Sequence, residues 1–244
     1  MRNITPFLLV FLAACARPPL KVGTTGDYRP FSLWQGSQPE GADIAMAKAY
    51  AKAQGREVVF VRTKWTTLLE DLHAGWFDLA MSGITITEQR EREAAFSRPY
   101  FQGYKVAVVR CGDTQRFASL ADVDQKGVRV IYNNGGTNEA FARRTIKTAS
   151  LESEADNLRV FARLVDGDVD VFFTDNIEAT VTTGDKHKGV LCTALAHEKL
   201  APFVIAVLGR RGSKELERFD AWLADPANQS AIETVLVVTN SSKP

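Results

Sequence analysis

A chain of 244 residues that is 45% hydrophobic, with 17 glycines and 9 prolines, carries enough apolar side chain for a packed core, as one large domain or two of ordinary size. Its 30 Lys and Arg against 29 Asp and Glu leave no net field to draw it to nucleic acid or to an anionic lipid surface, so no nucleic-acid partner is expected. The 3 histidines, His73, His187 and His197, are scattered without metal-ligand spacing, and neither a metal nor a cofactor is expected.

The chain opens as a targeting segment. Met1-Arg2-Asn3 is a short basic start, and Ile4 to Leu12 is apolar but too short to span a bilayer as a mature helix, so it reads as a cleaved signal. Leu12-Ala13-Ala14-Cys15 resembles the bacterial lipobox. That resemblance implies that Cys15 is lipidated and becomes the new N-terminus, and Ala16 after it implies the outer membrane. The expected folded part is then periplasmic and meets the membrane through its lipid anchor only. Cys111 and Cys192 remain, and an oxidising compartment allows them one intrachain pairing, the alternative being two separate buried thiols.

After a Pro-Pro linker, Leu20 to Thr24 reads as a buried strand running into a turn-rich loop, Thr25 to Phe31. Met46, Ala49, Tyr50 and Ala53 fall at i, i+3, i+4 and i+7 of a helix that Asp43 is placed to cap and Gly55 to end. Val58 to Val61 is the next strand, Trp65 opens a helix through Leu68, Leu69 and Leu72, and Phe77 to Met81 is a strand again. This alternation argues for a parallel α/β sheet. Lys105 to Val109 is a strand that leaves the opening pattern, and the alternation then restarts. It gives strand Val128 to Tyr132, helix Asn138 to Lys147, a short strand near Leu151, helix Asp156 to Val165 and strand Val169 to Thr174. Leu158, Phe161 and Val165 are the expected buried face of the second of these helices. Phe203 to Leu208 is a further apolar strand, followed by amphipathic helices carrying Leu216, Phe219, Leu223 and then Ile232. The expected organisation is residues 1–19 as signal and linker, 20–108 with 199–244 as one discontinuous lobe, and 109–198 as the second. Cys111 and Cys192 would then sit at the two crossings, where a disulfide would clip the hinge strands.

Three polar stretches follow strands, where open α/β sheets bind ligands. Ser82 to Tyr100 carries Thr85 and Arg90, a hydroxyl and a guanidinium fork suited to a carboxylate; the plainer alternative is a surface turn and a charged helix, Glu88 to Glu93. Asn134-Gly135-Gly136-Thr137-Asn138-Glu139 offers glycines and helix-start N–H groups to an anion, or is simply a capped glycine turn. It lacks the Gly-Lys-Ser/Thr of a phosphate loop. Thr174-Asp175-Asn176-Ile177-Glu178 ends on a carboxylate that either closes a capping box onto Asp175 or serves as a general acid, its pKa raised in a closing cleft.

Ser82 to Tyr100 resembles the signature of periplasmic amino-acid-binding proteins, in which a Ser/Thr and an Arg at this spacing grip the ligand's α-carboxylate. The resemblance implies a two-lobed, periplasmic-binding-protein-like type II α/β fold, with mixed sheets flanked by helices and a ligand cleft between the lobes. It also implies that Asp175 takes a ligand ammonium. Four blocks sharpen it: Thr24 to Tyr28, Met81 to Ile84, Gly135 to Glu139 and Thr174 to Glu178 together resemble the periplasmic cyclohexadienyl dehydratases. That family converts prephenate to phenylpyruvate and arogenate to phenylalanine without a cofactor. The resemblance implies that Glu178 is the acid and that Trp65, Thr85, Arg90, Asn133 and Asn138 line the site. On this reading Thr137 joins Arg90 on the side-chain carboxylate. Tyr28 and Trp65 wall the ring, with Tyr28 bonding Glu178, or else both are ordinary core or rim aromatics. The rival reading is a lipoprotein that delivers an amino acid to an ABC transporter permease, with Asp175 on the ammonium and Glu178 capping a helix. The apolar return strand Pro202 to Val207 resembles that class as closely as the dehydratases, and the stretch from Glu178 to Cys192 is slightly longer than the dehydratase pattern.

Overall fold

The computed structural model describes residues 17–229. The signal segment with Cys15, the expected end of the chain and Ile232 lie outside the described residues.

Strand β1 (Leu20–Thr24) buries Leu20 and Val22 completely and leads into a three-stranded antiparallel unit, β2 (Asp27–Tyr28), β3 (Ser32–Gln35) and β4 (Gln38–Glu40). Helix α1 (Ala42–Ala53) packs Met46, Ala47, Tyr50 and Ala51 into the core. Asp43 does not cap it. The cap position is Gly41, and Asp43 is a wholly buried first-turn residue whose carboxylate accepts from the Gly83 N–H at 2.7 Å and from the Tyr100 hydroxyl. The chain continues through β5 (Val58–Arg62), α2 (Leu68–His73), β6 (Leu79–Ala80), α3 (Glu88–Glu93) and β7 (Ala95–Phe96). Residues 65–67 form a turn, so α2 starts three residues later than its apolar spacing predicts, and Trp65 is left out of the helix.

Strand β8 (Phe101–Arg110) then enters a second sheet along its whole length, so the crossing precedes Phe101 instead of following Val108. The sequence pattern misplaces it because Val106 to Val109 are apolar for either lobe; packing on Val130, Val171 and Phe172 decides. A short α4 (Leu120–Val123) precedes β9 (Arg129–Asn133), α5 (Thr137–Thr145), β10 (Ser150–Glu154), α6 (Asn157–Val165), β11 (Val171–Asp175), α7 (Asn176–Gly184) and β12 (Leu191–Ala194). The chain returns through β13 (Leu200–Ile205), which pairs with the start of β8, to β14 (Leu208–Gly209) and α8 (Lys214–Leu223).

The first sheet has the order β5-β1-β6-β14-β7 and the second β10-β9-β11-β8-β12, with β13 also on β8. Each mixes parallel pairs, such as β1 with β5 and β9 with β10, with antiparallel ones, such as β6 with β14 and β8 with β11. The fold is therefore two-lobed, mixed α/β, flanked by helices. Two expectations are corrected. Helix α6 buries Asn157, Val160, Phe161 and Leu164, whereas Leu158 and Val165 are 50% and 37% exposed. The buried face is the one that packs Val160, Phe161 and Leu164 on the second sheet and lets Asn157 donate to the Asp27 carbonyl of the other lobe at 2.8 Å. The Cys111–Cys192 disulfide ties the far end of β8 to β12, beside Val109, and not the crossing, where Phe101 to Lys105 pairs with β13.

At the end of the second sheet opposite the crossing, buried Asp170 accepts from the Arg129 backbone N–H and from the guanidinium groups of Arg129 and Arg110, each at about 3 Å. These bonds outweigh burial and hold its pKa at about 2, below the usual 3.8. A depressed carboxylate stabilises the fold above its unfolded pKa, and that stability is lost as pH falls from 3.8 toward 2. Asp170→Asn is expected to cost about 2 kcal/mol at pH 7 and to make denaturant midpoints less sensitive to acid in this window, checked by urea titration at pH 7 and pH 3.

Candidate functional site

The first lobe's wall begins where β6 ends. The Ser82 hydroxyl is tied to those of Thr25 and Ser32 at 2.7 Å, which fixes the loop that follows. Gly83 has φ +65 and lies so close to Tyr28 that an added Cβ would sit 2.5 Å from its ring. Thr87 caps α3 by accepting from the Arg90 N–H, and Arg90 is the one buried residue of that helix. Its guanidinium donates to the Thr85 carbonyl at 2.9 Å and stands 5.7 Å from the Trp65 ring centre. Burial lowers its pKa to about 10, so it stays cationic at neutral pH, and among the described residues no carboxylate forms a salt bridge with it.

The second lobe contributes the starts of α5 and α7. Gly136 holds the cap position of α5, so Thr137 and Asn138 stand in its first turn with side chains free for other partners. Asn138 donates to the Asn133 side-chain oxygen at 2.9 Å. Behind them lies Lys105, 3% exposed, whose ammonium donates to the Thr137 hydroxyl at 2.9 Å, to the Asn138 amide oxygen, and to Asp175 at 2.6 Å. The other Asp175 oxygen accepts from the Tyr28 hydroxyl, so Tyr28 bonds Asp175 and not Glu178. Glu178 makes no capping box. Its carboxylate accepts from the Thr174 hydroxyl one turn back, and its side chain is 2% exposed. Burial, helped by the charges of Asp175 and Asp27 and opposed by the Thr174 bond and Lys105, raises its pKa from 4.5 to about 8.

All nine expected site residues line one cavity: Tyr28, Trp65, Thr85 and Arg90 from the first lobe, and Asn133, Thr137, Asn138, Asp175 and Glu178 from the second. Sequence reasoning missed two further groups. Lys105 looked like the ordinary start of an apolar strand; a lysine directly before four buried residues was the available signal. Asn157 was hidden by the wrong choice of helical face. It lines the cavity at 4% exposure, and among the described residues its amide oxygen is buried without a partner.

The lobes are closed on each other. Tyr28 bonds Asp175, Asn157 bonds the Asp27 carbonyl, and Gly135 packs so tightly over Thr66 that an added Cβ would lie 2.8 Å from its backbone nitrogen. Trp65 is fixed at the rim by an indole bond to Asp27 at 3.0 Å. Among the described residues no cluster of three His, Cys, Asp or Glu could hold a metal ion, and no helix is long and apolar enough to cross a membrane.

Two sheet lobes joined by paired crossing strands, with a buried arginine and carboxyl groups lining the cavity between them, define a two-lobed receptor for a small polar ligand. The chain belongs to the bacterial extracellular solute-binding proteins, family 3, whose profile matches residues 20–233. It is 44% identical over 161 residues to the cyclohexadienyl dehydratase of Pseudomonas aeruginosa, a match covering 66% of this chain and 60% of that protein. It is 28% identical to the ABC transporter arginine-binding protein 1 of Escherichia coli, over 66% of this chain and 65% of the relative. These matches thus span less than two thirds of each relative's length. Among solved structures it is similar to an ancestral amino-acid-binding protein described as a precursor of cyclohexadienyl dehydratase. The TM-score is 0.81 at 28% identity, covering 89% of this chain and 95% of that one.

Two expectations follow. Gly135→Ala, at φ +81 and against the Thr66 backbone, is expected to prop the cleft open and weaken ligand affinity by about tenfold or more, read by calorimetry, with a stability loss near 1 kcal/mol. Asp43 has its pKa raised by burial from 3.8 to about 7, so the folded state holds a proton that the unfolded state has lost. Its stabilising contribution therefore falls as pH rises through that window, and Asp43→Asn is expected to flatten the decline in melting temperature between pH 5 and pH 8.

Proposed function

We propose that the protein is a cyclohexadienyl dehydratase that takes the ring carboxylate and ring hydroxyl from prephenate and, on the same chemistry, from arogenate. The observation that carries this reading is Glu178: a carboxyl buried in the cavity wall with its pKa raised to about 8, and so still protonated at neutral pH. A binding protein has no need of a protonated acid aimed into its ligand cavity, whereas the reaction needs one.

Prephenate carries two carboxylates, a ketone and one hydroxyl. Arg90, with Thr85, Thr137 and the N–H groups at the start of α5, holds the side-chain carboxylate. Trp65 and Tyr28 wall the ring, and Asn133 and Asn138 steer the remaining oxygens. The unpartnered amide oxygen of Asn157 accepts the hydroxyl hydrogen, which turns an oxygen lone pair toward Glu178. The bond from the ring to its carboxylate then breaks, and its electron pair enters the ring as CO2 leaves. The C–O bond breaks with its pair on oxygen, and the Glu178 proton completes a water molecule. Phenylpyruvate, CO2 and water leave, and Glu178 regains its proton from solvent. Aromatisation supplies the driving force, so the protein's task is orientation and one proton, in a cleft whose closure keeps water out. The expected setting is the periplasm, with Cys15 as the lipid anchor.

Transport of an amino acid is the second reading, favoured by relatives such as the arginine-binding protein. It assigns Asp175 to a ligand ammonium, but that carboxylate is already bonded by Lys105 and Tyr28.

Phenylpyruvate formation from prephenate is the test. Glu178→Gln of confirmed folding is expected to lose at least about a hundredfold in kcat. Because the acid form is the active one, wild-type kcat is expected to hold from neutrality to about pH 8 and then to fall about tenfold per pH unit. Residual turnover in the variant should lack that limb. Turnover undiminished in Glu178→Gln, or absent in the wild type, would overturn the proposal.

A further inference from the structure

We infer that Thr174 is a positioning residue for the acid: its hydroxyl holds the Oε2 oxygen of Glu178 as an acceptor and so leaves the transferable proton on Oε1, the oxygen that meets the cavity. The inference rests on the dehydratase reading for the use of that proton, while the proton's place can be read without turnover.

The direction of each bond follows from Lys105. An ammonium donates and never accepts, so the Asn138 amide must turn its oxygen toward it. The Asn138 NH2 group then faces the Asn133 side-chain oxygen at 2.9 Å and the Thr174 hydroxyl oxygen at 3.5 Å. Thr174 receives a hydrogen from Asn138 and spends its own on Oε2 of Glu178, one turn further along the chain. Of the two oxygens of a neutral carboxyl, the carbonyl one is the stronger acceptor, so the proton of the acid belongs on the other. That oxygen, Oε1, makes no hydrogen bond among the described residues. It is also not one of the three buried side-chain atoms left without a partner there, which belong to Trp34, Asn134 and Asn157. Glu178 is 2% exposed and lines the cavity, so Oε1 is where it meets that space.

Packing alone does not call for a threonine here. It follows Val171, Phe172 and Phe173 in β11 and is wholly buried, so valine would fill the same volume. A hydroxyl in such a place costs desolvation unless it is bonded, and its bonds run to Asn138 and Glu178. In the reaction the Oε1–H bond breaks, its proton joins the departing hydroxyl oxygen to complete water, and its electron pair stays on the carboxylate. The new charge spreads to Oε2, where the Thr174 O–H already donates, and a bond to the charged form favours that form. Thr174 thus makes Glu178 a stronger acid than burial alone would leave it. The charged and titratable groups that face the same carboxyl are Asp175 at the end of β11, Asp27 and Tyr28 of the first lobe, and Lys105 on β8, with Arg90 on the cavity wall. None of them bonds the Thr174 side chain, so a change at that position leaves their partners in place.

Wild type, Thr174→Val and Thr174→Ser are compared by kcat and KM from about pH 6 to pH 10, on prephenate and on arogenate. Thr174→Val is expected to lose about tenfold in kcat at neutral pH with KM little changed. Its alkaline limb is expected to move upward by about one pH unit, because the carboxylate has lost a donor. Both substrates should lose alike, since the acid acts on the ring hydroxyl they share. Thr174→Ser keeps the hydroxyl and is expected to return the limb to its wild-type place and to recover most of kcat. A role in packing would instead leave the limb unmoved and make serine as poor as valine, and either result overturns the inference. A limb that moves downward in Thr174→Val also overturns it, because Glu178 would then be the donor and Thr174 the acceptor. Infrared difference spectra against Glu178→Gln follow the C=O band of the neutral carboxyl, which is expected to persist to higher pH in Thr174→Val than in the wild type or Thr174→Ser. Without wild-type turnover the dehydratase reading falls, and this band decides the proton's place by the same signs. Should Thr174→Val fail to fold, Thr174→Ala lacks the same donor and carries the same expectations.

Discussion

A lysine ammonium and an aspartate carboxylate lie 2.6 Å apart with both side chains almost wholly out of water, and the site is arranged around them. Such a pair gives little net stability, since desolvation consumes most of the attraction, but removing one member leaves a buried charge and is costly. Its value here is positional. Lys105 comes from β8, Asp175 ends β11, and Thr137 and Asn138 open α5, so a single ammonium fixes three elements of the second lobe against one another. Through Tyr28 the same carboxylate reaches the first lobe. The arrangement of the second lobe's polar wall thus rests on one buried cation, while closure also draws on Asn157 at the Asp27 carbonyl and on Gly135 against Thr66.

That arrangement sets the electrostatics of Glu178. The carboxyl is buried, and Asp175 and Asp27 nearby disfavour a further negative charge; Lys105 opposes them less than burial supports them. The outcome is an acid that keeps its proton at neutral pH although a lysine stands close by. Arg90 across the cleft remains charged despite its own burial, and burial costs a guanidinium less than it costs an ammonium. Among the described residues the cavity wall thus holds a cation with no acidic partner, a neutral acid and an amide oxygen without a hydrogen bond.

Membership in family 3 of the extracellular solute-binding proteins, with relatives that include both amino-acid-binding proteins and a cyclohexadienyl dehydratase, shows why fold alone does not assign the activity. The scaffold provides a cleft with a carboxylate grip on one side and helix starts on the other. What distinguishes one cleft from another is a few side chains, and in this chain an acid in the first turn of α7 and a lysine paired with the neighbouring aspartate stand in its wall.

Much of this was legible from residue order. The alternation of strand, loop and helix gave a two-lobed α/β chain. Polar stretches after strand ends, at Ser82 to Arg90, Gly135 to Glu139 and Thr174 to Glu178, named side chains that all meet at one cavity. These features are local: periodicity and turn chemistry act over a few residues and survive translation into sequence. Other features depended on which elements pack together. Val106 to Val109 are apolar for either lobe, so the point of crossing was invisible until β8 found its partners. Helix α6 has apolar residues around more than half its circumference, and packing of Val160, Phe161 and Leu164 on the second sheet, with the bond from Asn157 to Asp27 in the other lobe, selects its buried face. Asp43 sits where a cap belongs, yet Gly83 and Tyr100, 40 and 57 residues away, claim its carboxylate. Lys105 and Asp175 lie 70 positions apart, and no spacing rule joins them. The sequence by itself determined which polar side chains stand at the strand and helix ends that line the cleft. Tertiary structure alone decided which of them neutralise one another, because an ion pair and a raised pKa belong to distances in space and to the exclusion of water, and neither is written along the chain.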